Sequence, residues 1–183
     1  AYVQLRNALA EAQDLAGRGR NEDVLLNRPD AAALIPVVNG AQPLYVHVER
    51  AADIRSALAL RQDFPKLRLV LVGATEGWLA AREIAAAGVP VIAVALNDLP
   101  ASFEQLAATQ SNVGRMTKAG VKVAIGSFYD MNQPRYAPQQ AGNLVALNSL
   151  PGAAGLSWGQ ALAAITSIPA EISGMGGKEG VLK

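Results

Sequence analysis

Four short apolar runs recur along the chain: Leu44–Val48, Leu67–Val72, Val89–Val94 and Val121–Ile125. Each is rich in valine, leucine or isoleucine, with little polar alternation. A strand with one wet face alternates, whereas a strand covered on both faces reads as a continuous apolar run. Between them, Ala51–Asp63, Glu76–Ala87 and Ser102–Ala119 carry apolar residues three and four positions apart, the period of a helix with one buried stripe. Repeated strand–helix units imply parallel strands joined by right-handed crossovers. The pattern therefore predicts an α/β fold, with four parallel strands in chain order and helices flanking one face.

The punctuation agrees with that division. Gly88 and Gly120 each stand just before a strand, where a helix ends most easily in a left-handed residue. Ser102 with Gln105, and Ser157 with Gln160, have the spacing of a capping box. Thr75 is placed to cap the helix after the second strand, with Glu76 in its first turn. Ahead of the first strand the spacing predicts helices over Val3–Ala16 and Asp30–Val38, joined by a polar loop, Gly17–Asp23. After the fourth strand it predicts helices over Pro138–Asn148 and Ser157–Ile168, then a glycine-rich tail, Gly174–Gly180.

Four strands do not close on themselves. A complete eight-stranded barrel typically takes about 250 residues, and four parallel strands leave two edges that need cover. The sheet is either open and doubly wound or one half of a barrel, and no glycine-rich phosphate loop follows the first strand to favour an open nucleotide-binding sheet. The expectation is a single domain, residues 1–183, built as parallel (βα) repeats: the four-stranded half of a TIM-type (β/α)8 barrel. An isolated half is expected to find cover in its complementary strands, in another subunit or as a homo-oligomer.

Composition narrows the function classes. The chain of 183 residues is 51% hydrophobic and 17% charged, enough for a real core. A net charge of +1 with interspersed signs argues against a nucleic-acid surface, and 5% aromatic residues argue against a base-stacking platform. There are no cysteines, which removes thiolate zinc sites, disulfides and cysteine nucleophiles. No apolar run approaches the ~20 residues of a membrane span, so the expectation is a soluble protein of cytoplasm or periplasm with no membrane partner. No signal-peptide pattern opens the chain, and its start at Ala1 rather than a methionine leaves room for an upstream segment.

The single histidine, His47, sits near the C-terminal end of the first strand, where parallel folds place their chemistry. It reads either as a functional imidazole or as a ring held by a buried hydrogen bond. His47-Val48-Glu49 sets two potential ligands on one side of a strand, yet a zinc site usually takes three protein ligands. Glu49, Arg50 and Asp53 read equally as an ion-paired helix start. No glycine-x-serine-x-glycine elbow is present for a serine nucleophile. The tail Gly174-Met175-Gly176-Gly177-Lys178 follows no strand and lacks the hydroxyl residue of a phosphate loop. Trp78 and Trp158 fall in first turns of helices and are expected to pack in the core or at an interface. Ser127-Phe128-Tyr129-Asp130, at the end of the fourth strand, offers Asp130 as a catalytic acid or as a turn residue.

Pro43–Leu58, Leu69–Trp78 and Gly88–Ile92, followed by Gln140–Ala146, Ala161–Ala170 and Gly180–Lys183, resemble in order and spacing the imidazolonepropionase-like amidohydrolases. The resemblance covers nearly the whole chain. It implies a metal-bearing eight-stranded barrel that hydrolyses amide or cyclic amide (C–N) bonds of a small-molecule substrate, with the metal polarising a carbonyl and activating water. On this alignment the four strands are the fifth to eighth, the flanking β-sandwich and the N-terminal half lie outside the chain, and His47 falls at the fifth-strand metal ligand. Glu49 and Asp130 are the candidate catalytic carboxylates of this chain.

The chain also departs from the family pattern. Gly73 stands where a sixth-strand histidine is usual, and Phe128 stands where the eighth strand usually ends in an aspartate, with Asp130 two residues on. The resemblance thus leaves two expectations. One is a region of a zinc- or similar divalent-metal-dependent amidohydrolase, inactive and metal-free as this chain alone, whose His47 completes a shell in the full-length form. The other is a non-catalytic amidohydrolase-like scaffold or ligand-binding subunit.

Overall fold

The computed structural model describes residues 1–15, 24–126 and 133–181. Phe128, Asp130 and the polar loop at 17–23 lie outside the described residues. Among the described residues the order is α1 (Tyr2–Gln13), α2 (Arg28–Val38), β1 (Leu44–Val48), α3 (Ala51–Asp63), β2 (Leu69–Gly73), α4 (Ala81–Ala86), β3 (Val91–Ala93), α5 (Asn112–Lys118) and β4 (Val123–Ile125). Helices α6 (Ala137–Ala146), α7 (Trp158–Ile165) and α8 (Ser167–Ile172) follow. No helix among them is long and apolar enough to cross a membrane.

The chain divides into two compact units: Ala1–Leu44 with Ser56–Leu69, and Tyr45–Arg55 with Val70–Lys183. In the first, Leu9 and Ala12 of α1 meet Val37 and Val38 of α2, and Leu60, Phe64 and Leu67 complete the cluster. The sequence reason is the helical spacing of Leu5, Leu9 and Ala12, which puts them on one stripe. Asn27 caps α2, its Oδ1 accepting from Asp30 N at 2.9 Å, and Arg6 of α1 pairs with Asp63 at 2.6 Å.

The second unit holds the sheet, whose four strands run parallel in the order β1-β2-β3-β4. Register pairs Val72 with Ile92 and Ile92 with Ala124. With Val70 this row forms one face, and Ile168 and Ile172 of α8 pack on it. Leu71, Val91 and Val123 of the alternate row are buried too, so β2, β3 and β4 are covered on both faces at this level, whereas β1 exposes Tyr45 and His47. That corrects the expectation of helices on one face; α8 lies outside the repeat pattern and supplies the second cover.

The structure also trims and breaks the predicted elements. The strand expected from Leu67 begins at Leu69, because a turn closed by Leu67 N to Phe64 O at 3.0 Å occupies the start of the run. The helix expected over Glu76–Ala87 is a 3₁₀ turn, Gly77–Ala80, followed by α4. The helix expected over Ser102–Ala119 is a 3₁₀ turn at Phe103–Gln105, a connection and then α5. Gln105, Ser111 and Asn112 are buried, and their side chains bond outside this segment, to Ala101, Ala154, Ala74 and Trp78. The last predicted helix is interrupted at Thr166, with φ −130° and ψ −85°. Gly88 and Gly120 do end α4 and α5 with φ of 62° and 94°.

Candidate functional site

The C-terminal ends of β1, β2 and β3 are joined by a network centred on two buried carboxylates. At the end of β2 the backbone takes two consecutive positive φ values, 88° at Gly73 and 49° at Ala74. The turn this creates points its N–H groups at β1: Ala74 N donates to Val48 O at 2.6 Å and Glu76 N to Glu49 O at 3.0 Å. Thr75 N donates to Glu49 Oε2 at 2.9 Å. Thr75 therefore does not cap a helix, as its spacing suggested; its Oγ1 accepts instead from Asn97 Nδ2 at 3.2 Å.

Glu49 is buried at 9% exposure, and its Oε1 meets His47 Nε2 at 2.9 Å, while the His47 side chain is 63% exposed. The imidazole thus stands out from the rim with a buried acid behind it. A Cβ built on Gly73 would run into the Glu49 carboxylate, so the space beside the end of β2 already belongs to Glu49.

Glu76 is the second carboxylate. Its Oε2 accepts from Ala51 N, the first residue of α3, at 3.0 Å, and its Oε1 from Ala107 N at 3.1 Å. Three loops, those after β1, β2 and β3, therefore meet at one side chain. Asn112 adds a bond to Ala74 O and accepts from Trp78 N, both at 2.9 Å. The Trp78 indole donates to Ala107 O at 2.9 Å under the Arg115 guanidinium, 4.5 Å from the ring centroid. Gln105 was expected to close a capping box with Ser102. It accepts instead from Ala101 N at 3.3 Å, and Ser102 makes no cap bond.

At the edge of this network Arg50 and Glu104 approach to 3.9 Å. The Ser102 hydroxyl, then the residue's own N–H, then Arg50 hold the exposed Glu104 carboxyl below its ordinary range. Asp53 lies in the first turn of α3. The loop carrying Glu104 exposes Leu99, Phe103 and Leu106. Trp158 is 76% exposed and so lies outside the core.

The structure brings His47 and Glu49 together as the spacing suggested. The residues that sequence reasoning missed are Glu76, Asn97, Gln105 and Asn112. Their signal was a polar residue just beyond an apolar strand or inside an apolar helical pattern, where a buried bond is the usual reason for its presence.

A zinc site usually takes three protein ligands. Among the described residues no group of three or more His, Asp or Glu side chains is placed to hold one. His47 and Glu49 are paired with each other, and the position at the end of β2 is filled by a carboxylate that a backbone N–H also binds. Among the described residues these two donors are too few for a closed shell.

No family model matches the chain, and no curated protein does. Solved structures do. An amidohydrolase from Thermotoga maritima MSB8 is similar over 100% of this chain and 47% of its own, with a TM-score of 0.79 and 21% identity. A prolidase crystallised with N-methylphosphonate-L-proline is similar over 84% of this chain and 39% of its own, with a TM-score of 0.52 and 19% identity. The chain spans about half the length of the amidohydrolase it matches. Its parallel strands and intervening helices are the four-stranded half of a TIM-type barrel.

Proposed function

We propose that this chain is the strand-five-to-eight part of an imidazolonepropionase-like amidohydrolase, whose complete form hydrolyses amide or cyclic amide bonds of a small molecule. The observation that carries the reading is positional. The chain follows a solved amidohydrolase over its whole length, and His47 stands exposed at the C-terminal end of a strand, where barrels of this type gather their reacting groups. The implied partners are the substrate and the complementary strands, from the rest of the protein or from another subunit. Any zinc or similar ion belongs, on this reading, to the complete protein and not to this chain alone.

A second reading, a non-catalytic scaffold or ligand-binding subunit, is favoured by one observation: Glu49 takes the space beside Gly73 and pairs with His47. Hydrolysis decides between them. The complete protein is incubated with a panel of linear N-acyl and cyclic amides, and its metal content is measured by mass spectrometry. Turnover above buffer that falls at least tenfold in His47→Ala is the expected result. No turnover and no stoichiometric metal would replace the enzyme with the scaffold.

A further inference from the structure

Helix α7 (Trp158–Ile165) carries no charged residue along its length, WGQALAAI. At about 100° per residue, Ala161 and Ala164 share one side, and Ile165, Trp158 and Leu162 continue the same apolar arc around the helix. The first part of that arc is covered: Ala161 and Ala164 are buried, and the helix rests on β4. The second part is not, since Trp158 and Leu162 are exposed. A surface helix normally turns a polar side to water, and one that stays apolar further round is built to be covered there as well. Trp158 is also held in place. Ser157 and Gln160 exchange their capping-box bonds, which fixes the turn that it opens.

The place of this face in the fold selects its occupant. Among the described residues β4 ends the sheet, with β3 on one side and no strand on the other. The helix that rests on β4 therefore borders the position of the next strand. More than half of the Thermotoga maritima amidohydrolase lies outside its match with this chain, enough for further strand–helix units. A strand paired in parallel with β4 brings its own helix into the ring beside α7. Nothing in α7 could pair with a charged group set against it, and such a group would lose its water without compensation. We infer that Trp158 and Leu162 form the seam at which the barrel closes. Their occupant is the apolar side of a helix from the complementary strand–helix half, with Trp158, the residue type that most often anchors an interface, as its centre.

This seam rests on the proposed reading of the chain as half of a larger barrel. Its test puts the photo-crosslinker benzoylphenylalanine at position 158 of the complete protein, an aromatic side chain replacing an aromatic one. Irradiation and peptide mass spectrometry are expected to give an adduct to a helix whose sequence lies outside residues 1–183. Adducts confined to residues 1–183, of the same chain or of a second copy, would overturn the inference. Should no adduct form, fluorotryptophan labelling reports instead, with the Trp158 resonance assigned by its loss in Trp158→Phe. In the complete protein that resonance is expected to be shielded from a soluble gadolinium chelate. Broadening as strong as that of free fluorotryptophan would overturn the seam. Amide turnover on the same sample keeps the two claims apart. A covered Trp158 without turnover supports the seam and removes the enzyme, whereas turnover with an exposed Trp158 keeps the enzyme and removes the seam.

Discussion

At the end of β2 two adjacent residues take positive φ, and only one of them is glycine. Ala74 holds φ 49° while fully buried, a conformation that costs an L-residue roughly 1–2 kcal/mol. The turn persists because Ala74 N, Thr75 N and Glu76 N all find acceptors on β1 or Glu49. Ala74→Gly is expected to raise the unfolding free energy by roughly 0.5–1 kcal/mol. Gly73→Ala is expected to lower it by roughly 1–3 kcal/mol, since the new methyl meets the Glu49 carboxylate in a strained backbone. Urea titration of both variants checks the opposite signs; a stable Gly73→Ala would remove the reason for glycine at this position.

Glu76 carries a comparable responsibility through its side chain. Glu76→Ala leaves the Ala51 and Ala107 N–H groups without their acceptor, a loss of roughly 2–4 kcal/mol. Glu76→Gln keeps one carbonyl oxygen and is expected to fall between the two. Hydrogen exchange at the Ala51 and Ala107 amides gives the local reading, with both accelerated in the alanine variant. Unchanged exchange at both amides would deny Glu76 its role as a clamp. The sequence displayed His47 and Glu49 as neighbours on one side of a chain segment. It did not display that Glu49 turns inward, because that depends on the missing side chain of Gly73, which is 24 residues further along.

Among the described elements, the continuous apolar runs identified the four strands, and the helical period located α3 at its observed limits. Legibility fell where side chains bond to nearby backbone. Asn112 and Gln105 look like ordinary helix residues in the pattern, yet each side chain is spent on a backbone group outside the predicted helix, Ala74 O and Ala101 N. The two capping-box spacings separate in the same way. Ser157 and Gln160 make the reciprocal bonds at 3.2 and 2.9 Å, whereas Ser102 makes none. Ser157→Ala should therefore cost about 1 kcal/mol and Ser102→Ala almost nothing. Equal losses in thermal unfolding of the two variants would show that the box at α7 is not a cap of this kind.

The link between α1 and Asp63 has a sign in pH. Arg6, donating to Asp63, holds that carboxyl below its ordinary range. A depressed carboxyl stabilises above its unfolded value, and the contribution fades as pH falls through the folded one. Both groups are exposed, so the effect on stability is small. Arg6→Ala is expected to move the Asp63 titration upward, which NMR follows directly at the carboxyl carbon. An unmoved titration would mean that the pair is not formed in solution.

For the molecule as a whole, the deciding feature is that the sheet order leaves β1 and β4 at its edges. Unpaired strand edges template association with any strand that fits. Here little opposes it, because a net charge of +1 supplies almost no repulsion between copies. Tyr45 on β1 and Trp158 and Leu162 on α7 add exposed apolar surface, which favours cover of some kind. In a complete barrel the complementary strands would pair with both edges, and in their absence a second copy is the available substitute. Sedimentation velocity of the chain alone is therefore expected to show mass rising above 19.0 kDa as concentration passes through the micromolar range. Supplying the complementary strands in the complete protein is expected to suppress that rise, since the same edges are then paired within one barrel. A compact 19.0 kDa species that stays monomeric across the whole range would show that the chain covers its own edges, and the complementary half would then not be needed for its stability.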